Sequence, residues 1–306
     1  MKKRKVYSGE IHHIYQRTIG GAVVFYELAD YLVFFTLFCT VAEKMAVSVL
    51  ALCPMPDHLH NACRVHSPDQ ISSFVQQYTH LFAMEWNLSR NRKGPLFRAR
   101  FGSSAKLGNK SIRSTINYNN NNPVERKMVT KAEDYRWNFL PYARQSAPYS
   151  VPLHHEKASR PMRRALLAVR RCHQEGRWIR YRQWDIWTKE LNPEEIQQLA
   201  DYIVHTWNVV DFGQTISFYG NYEAMIRSFH DNTGGEYEIR EDKDKYSDAV
   251  YEDCTRILLK EQYIRNVREI PGLPAEQKAR LLELLSLRTI ATPRQLRKYL
   301  HWHGTQ

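Results

Sequence analysis

Ile11 to Thr18 alternates loosely between apolar and polar residues and runs into Ile19-Gly20-Gly21, which predicts a first strand and a turn. From Glu27 to about Ala46 the apolar residues recur at helical spacing (Leu28, Tyr31, Leu32, Phe35, Phe38, Cys39, Ala42), predicting an amphipathic helix over one side of a sheet. Val47 to Cys53 is a continuous apolar run of strand length, Pro54 and Pro56 punctuate a turn, and His58 to Val65 reads as an antiparallel return strand. Ser67 and Pro68 supply an N-cap and a first helical residue for a helix reaching about Asn91, with an apolar stripe from Ile71 to Trp86. The alternation of Arg98 and Arg100 with Phe97, Ala99 and Phe101 predicts another strand. Lys110 to Asn121 reads as a third helix that Pro123 helps to end, and Asp134 to Trp137 as a short closing element. The fold class expected is α+β: a ferredoxin-like antiparallel sheet with helices on one face, occupying residues 1–145.

Residues 146–160, with their prolines, histidines and serines, read as a linker, and the pattern changes beyond them. Residues 161–306 are expected to form a mainly helical C-terminal domain: Pro161 to Lys189 is basic and tryptophan-rich, while Pro193 to Trp207 and Ser247 to Val267 are helical and more acidic. At the end, Pro274 to Leu287 is a leucine-rich helix, and Thr292 caps a basic one beginning at Pro293. Residues 274–302 thus read either as a helix-turn-helix whose second helix enters a major groove, or as a helical hairpin packed on the rest of the protein.

Charge narrows the partner. The net charge is +12, and residues 1–150 hold 20 Lys and Arg against 10 Asp and Glu, so +10 of it lies there. A polyanion is the leading explanation, because each cation that neutralises a phosphate releases condensed counterions. The five cysteines are odd in number, widely spaced and without a Cys-x-x-Cys pair, which excludes a disulfide framework and a cysteine zinc knot. The apolar stretch Tyr31 to Thr40 is too short to span a bilayer, and the basic Met1 to Lys5 leads into polar residues, so neither a membrane partner nor a secretory signal is expected. A cytoplasmic location is the expectation.

The candidate chemistry sits in Pro56-Asp57-His58-Leu59-His60. On an extended strand His58 and His60 project from one face, roughly 7 Å apart, with Leu59 on the other. Two imidazoles and one amide or carboxylate suit a divalent cation such as Mg²⁺ or Mn²⁺ with positions left for phosphate oxygens. Asn122 is a third ligand candidate, one helical turn beyond Tyr118, which would be the nucleophile at phosphorus. Arg17, Arg92, Lys93, Arg98, Arg100 and Lys106 are the candidate DNA contacts, Arg98 and Arg100 gripping a backbone while the interleaved rings anchor the strand.

These stretches together resemble the single-tyrosine HUH transposases, above all the REP-associated tyrosine transposases and the insertion-sequence-200-like group. The resemblance rests on residues 11–17, Met55 to His60, Gly94 to Phe101 and Tyr118 to Val124, in order and at matching spacing, with Tyr135-Arg136-Trp137 similar to a Tyr-x-Trp segment after the family's catalytic helix. It covers about residues 8–145. It implies His58 and His60 as metal ligands, Asn122 as the third, Tyr118 as nucleophile, and cleavage of single-stranded, hairpin-forming DNA through a 5′-phosphotyrosine link with a free 3′-OH. Relatives act as homodimers or as monomers, so both remain open, as does action of Tyr118 in cis or in trans. The sequence departs from the family at Asp57, usually asparagine, and at Asn119 and Asn120, usually Ile-His. Two other readings stand beside this one: a non-catalytic nucleic-acid-binding regulator on the same fold, and a nickase like a replication initiator or relaxase.

Overall fold

The computed structural model describes residues 6–231 and 247–302; the basic Met1 to Lys5 segment lies outside them. Four strands, β1 (Ile11–Arg17), β2 (Ser48–Met55), β3 (His58–Arg64) and β4 (Gly102–Lys106), form one sheet in the order β2-β3-β1-β4, with every neighbouring pair antiparallel. Helix α1 (Leu28–Lys44) joins β1 to β2, and α2 (Pro68–Ser89) joins β3 to β4. This βαββαβ order with its two crossovers is the ferredoxin-like arrangement expected. The β2–β3 hairpin turns on Pro56 and Asp57 alone, since Met55 pairs with His58. Its tip is pinned where the backbone N–H and Oγ1 of Thr18 both donate to Asp57 O, and Val24 N donates to Pro56 O.

Alternation along β3 divides two cores. Leu59 and Cys63 join the apolar cluster of α1 and α2, whereas Ala62 joins Ile11 and the residues Ile112 and Ile116 of α3 (Gly108–Glu125) on the opposite face. Helices therefore cover both faces, a correction to the expectation of one. Two local expectations are also corrected. Phe97 to Phe101 lies outside the sheet apart from a bridge between Phe97 and Thr18, and the ladder begins at Gly102, over which the ring of Tyr15 lies: a Cβ there would come within 1.9 Å of Tyr15 Cζ. Pro123 sits inside α3, which continues to Glu125; Arg126 N–H then closes on Asn122 O.

The C-terminal half consists of α4 (Arg160–Gln174), α5 (Tyr181–Thr188), α6 (Pro193–Trp207), α7 (Phe212–Ser217), α8 (Tyr222–Asp231), α9 (Val250–Lys260), α10 (Ala275–Arg288) and α11 (Pro293–Tyr299). Its first three helices share a core with α1, which explains why every residue from Ala29 to Ala42 is buried. A helix apolar all round is one buried all round; the amphipathic reading of this stretch lacked the second cover. Residues 146–159 have no regular element, and Tyr149 N and Ser150 Oγ donate to Asp201 of α6. Asp211 N–H donates to Val49 O and Thr215 Oγ1 to Leu50 O, so the start of α7 covers the β2 edge. α9 to α11 build a separate cluster into which Val23 of the β1–α1 loop is inserted, fully buried. No helix of the described residues is long and apolar enough to cross a membrane.

Candidate functional site

The β1–β3 register sets Tyr15 opposite His60 and His13 opposite Ala62, so His13, His58 and His60 share the face that α3 covers. His60 stacks on His13 with ring centroids 5.3 Å apart, and its Nδ1 lies 3.1 Å from His13 Nε2. His58 Nδ1–H donates to Asp57 Oδ1 at 2.5 Å. Both remaining ring nitrogens converge on one amide: His58 Nε2 is 3.3 Å from Asn122 Oδ1, and Asn122 Nδ2 donates to His60 Nε2 at 3.3 Å. Tyr118, one turn earlier on α3, packs edge-on against His60 (5.2 Å) and His13 (5.4 Å) and is only 4% exposed.

The helix that carries Tyr118 and Asn122 is polar yet buried, and the asparagine run makes that possible. Asn119 and Asn120 donate to the carbonyls of Thr115 and Ile116 one turn back, while Asn117 and Asn121 donate across to Ser228 and Phe229 of α8. Each of these amide N–H groups thus finds a partner in a setting where an orphan would cost about 1–3 kcal/mol, although Asn119 Oδ1 is buried without one. α3 is thereby wedged between the sheet and α8, which fixes where Tyr118 points.

Asp57 is second in line rather than at the convergence point. Burial alone would raise its pKa, but the His58 charge and hydrogen bond, then the Lys298 and Arg126 charges, outweigh it and hold the carboxyl well below the usual range. Its other oxygen accepts from Lys298 Nζ of α11 at 3.0 Å, although 241 positions separate the two residues. A carboxylate on the far nitrogen of an imidazole is the arrangement that orients a ligating histidine.

Whether these residues suit a cation follows from their hydrogen-bond roles. With Nδ1–H committed to Asp57, a neutral His58 would turn the lone pair of Nε2 toward the Asn122 amide oxygen. Two acceptors 3.3 Å apart are compatible only if a proton or a metal ion serves them. His58 Nε2, His60 Nε2 and Asn122 Oδ1 therefore fit a divalent ion by donor type. Among the described residues no group of three His, Cys, Asp or Glu could hold a metal.

A cleft of about 310 Å³ opens beside His58 and Asp57. Arg17, Arg98 and Arg126 line it from the first half, and Arg294, Arg297 and Lys298 line it from α11. His60, Asn122 and Tyr118 do not line it. The other candidate DNA contacts are elsewhere. Arg92 donates to Asn87 Oδ1 and to the carbonyls of Gly94 and Pro95, holding its own loop; Arg100 lies with Arg98 along a groove beside α2; Lys106 is buried at the end of β4, and Lys93 is exposed. His13, Arg126 and the three α11 cations were not among the sequence candidates. His13 carried a signal, its place on an alternating strand two residues before Tyr15. The α11 cations were legible only collectively, as the basic second helix of a helix-turn-helix or packed hairpin.

No protein-family model matches the chain, and no curated protein matches it. Among solved structures, that of a REP-associated tyrosine transposase bound to a REP hairpin is similar over 45% of this chain and 81% of that one, with 16% sequence identity and a TM-score of 0.37.

Proposed function

We propose that this protein cleaves single-stranded DNA and rejoins strands, a transposase-type reaction, with Tyr118 as the nucleophile. The observation that carries the reading is the convergence of His58 Nε2 and His60 Nε2 on the Asn122 amide, each within 3.3 Å, with the Tyr118 ring 5.2 Å from that of His60. His58, His60 and Asn122 would hold a divalent cation, Mg²⁺ or Mn²⁺, whose chemistry when bound is to neutralise charge developing on the phosphate oxygens. Asp57 fixes the tautomer of His58, and His13 fixes that of His60 by accepting from its Nδ1–H. The phenol of Tyr118 loses its proton as the Oη–P bond forms and the P–O3′ bond breaks, and the leaving 3′-oxygen takes up a proton. Attack of that hydroxyl on the 5′-phosphotyrosine restores Tyr118 and joins the strands. The resemblance of the four motifs to the single-tyrosine transposases supports hairpin-forming single strands as the substrate.

The test is incubation of an end-labelled, hairpin-bearing single strand with the protein and Mg²⁺ or Mn²⁺. Wild type is expected to give an SDS-resistant adduct that Tyr118→Phe does not; no adduct with wild type, or one with the variant, overturns the reading. The burial of Tyr118 favours a second reading, a nucleic-acid-binding protein without catalysis on this fold. It predicts salt-sensitive binding that survives His58→Ala combined with Tyr118→Phe, and no cleavage with any metal.

A further inference from the structure

We infer that α11, at the far end of the chain, forms one wall of the seat for the single strand: Arg294 and Arg297 face Arg17, Arg98 and Arg126 across the cleft and bind its phosphates beside His58. The inference rests on the strand-cleaving reading for the identity of the polyanion.

Three observations carry it. First, the cleft gathers five arginines and Lys298 around His58, and the carboxylate in its lining, Asp57, is already committed to His58 and Lys298. Guanidinium groups match phosphate oxygens bidentately, and several along one groove track a backbone. Second, other residues of α11 fix its position. Its Gln295 donates to Ser247 O and Asp248 Oδ1, Asp248 N–H donates to Arg126 O at the end of α3, and Lys298 reaches the hairpin tip at Asp57. The helix thus ties the element bearing His58 to the element bearing Tyr118 and Asn122, and its Arg294 and Arg297 line the cleft. Third, the approach is close. Gly21 has φ +69, and a Cβ there would meet Lys298 Cε at 3.1 Å, so the β1–α1 turn is shaped to admit the helix. α11 therefore packs inward on the first half, as a helical hairpin with α10, and Lys298 is engaged there rather than displayed for a duplex groove.

The experiment measures binding of fluorescein-labelled dT₁₂ to the full chain by anisotropy, in EDTA so that no cleavage is required, across a KCl series. The double variant Arg294→Ala/Arg297→Ala is expected to bind about tenfold or more weakly at low salt. Its slope of log K against log[KCl] should be shallower by about 1.4, two phosphates at about 0.7 each. Arg294→Lys/Arg297→Lys should restore the slope, which separates loss of charge from loss of fold. Arg164→Ala/Arg170→Ala removes two exposed arginines of α4 and should leave the slope unchanged. An unchanged slope in the α11 alanine variant, an equal loss in the α4 control, or no dT₁₂ binding by wild type overturns the inference. The two readings fail separately: an adduct that forms while the α11 variant binds like wild type sinks only the wall, and α11-dependent binding without any adduct sinks only the cleavage chemistry.

Discussion

Replacing Asp30 by alanine should be among the most damaging single changes in the protein. Asp30 is wholly buried at the start of α1, and its carboxylate joins three elements. Oδ1 accepts from Arg90 Nη2 at the end of α2 (2.6 Å) and from the Tyr181 hydroxyl at the start of α5 (2.5 Å); Oδ2 accepts from the backbone N–H groups of Tyr26 (2.9 Å) and Glu27 (3.2 Å). Breaking one side of a buried ion pair costs about 3–5 kcal/mol, because the remaining charge stays buried, and each hydrogen bond to a charged group adds about 1.5–3 without strict additivity. The Arg90 side chain is itself 0% exposed, between Trp86 and Tyr181, so it has no route to water short of local unfolding. About 4 kcal/mol is the expected loss. Urea denaturation at pH 7, followed by tryptophan fluorescence and far-UV circular dichroism, should show the midpoint falling with the slope unchanged. Asp30→Asn keeps one acceptor and should lose about half as much. Asp30→Leu with Arg90→Met removes both charges and should be more stable than Asp30→Ala by 1 kcal/mol or more, roughly in line with other buried pairs. A loss below about 1.5 kcal/mol for Asp30→Ala, or no recovery in the double variant, would refute the argument that an abandoned guanidinium is the source.

Asp57→Asn keeps the side-chain volume but removes the charge held between His58 and Lys298; about 10–100-fold more Mn²⁺ should be needed for half-maximal adduct formation, and an unchanged metal titration would contradict the orienting role. Gly102→Ala should cost about 1–3 kcal/mol in a denaturant titration because the Tyr15 ring must move, and Tyr15→Ala should relieve most of that cost. Burial, with the Lys278, Arg92 and Arg90 charges, pushes the His301 pKa down to about 3, against Val23 O, which accepts its Nε2–H and favours the charged form. Because the folded value lies below the unfolded one, its contribution is complete above about pH 6.5 and fades as the pH falls toward 3. At pH 5 the loss is at most about 2 kcal/mol, and a His301→Gln variant should show a correspondingly smaller drop in urea midpoint between pH 7.5 and 5.

The sequence was most legible where a pattern is local. The return strand bearing His58 and His60 and the Ser67-capped helix lie within a residue or two of their expected positions, because alternation and capping are properties of neighbours. Asn122 and Tyr118 fall on one face for the same reason. The errors occurred where a distant partner decides. Phe97 to Phe101 alternates like a strand, but pairing begins at Gly102, the residue that leaves room for the Tyr15 ring. Pro123 should end a helix in isolation; here the packing of Asn117 and Asn121 against α8 holds α3 through it. Nothing near Lys298 in the chain announces Asp57. Their contact comes from α9 to α11 closing around Val23, a long-range event without a sequence period.

The complete enclosure of α1 bears on which truncations this chain can survive. A chain ending near residue 145 would show solvent the side of α1 that α5 and α6 cover, and that side is apolar. A stop codon after residue 145 would therefore uncover a greasy helix and recruit chaperones and proteases before any reaction occurred. Packing keeps the two halves together.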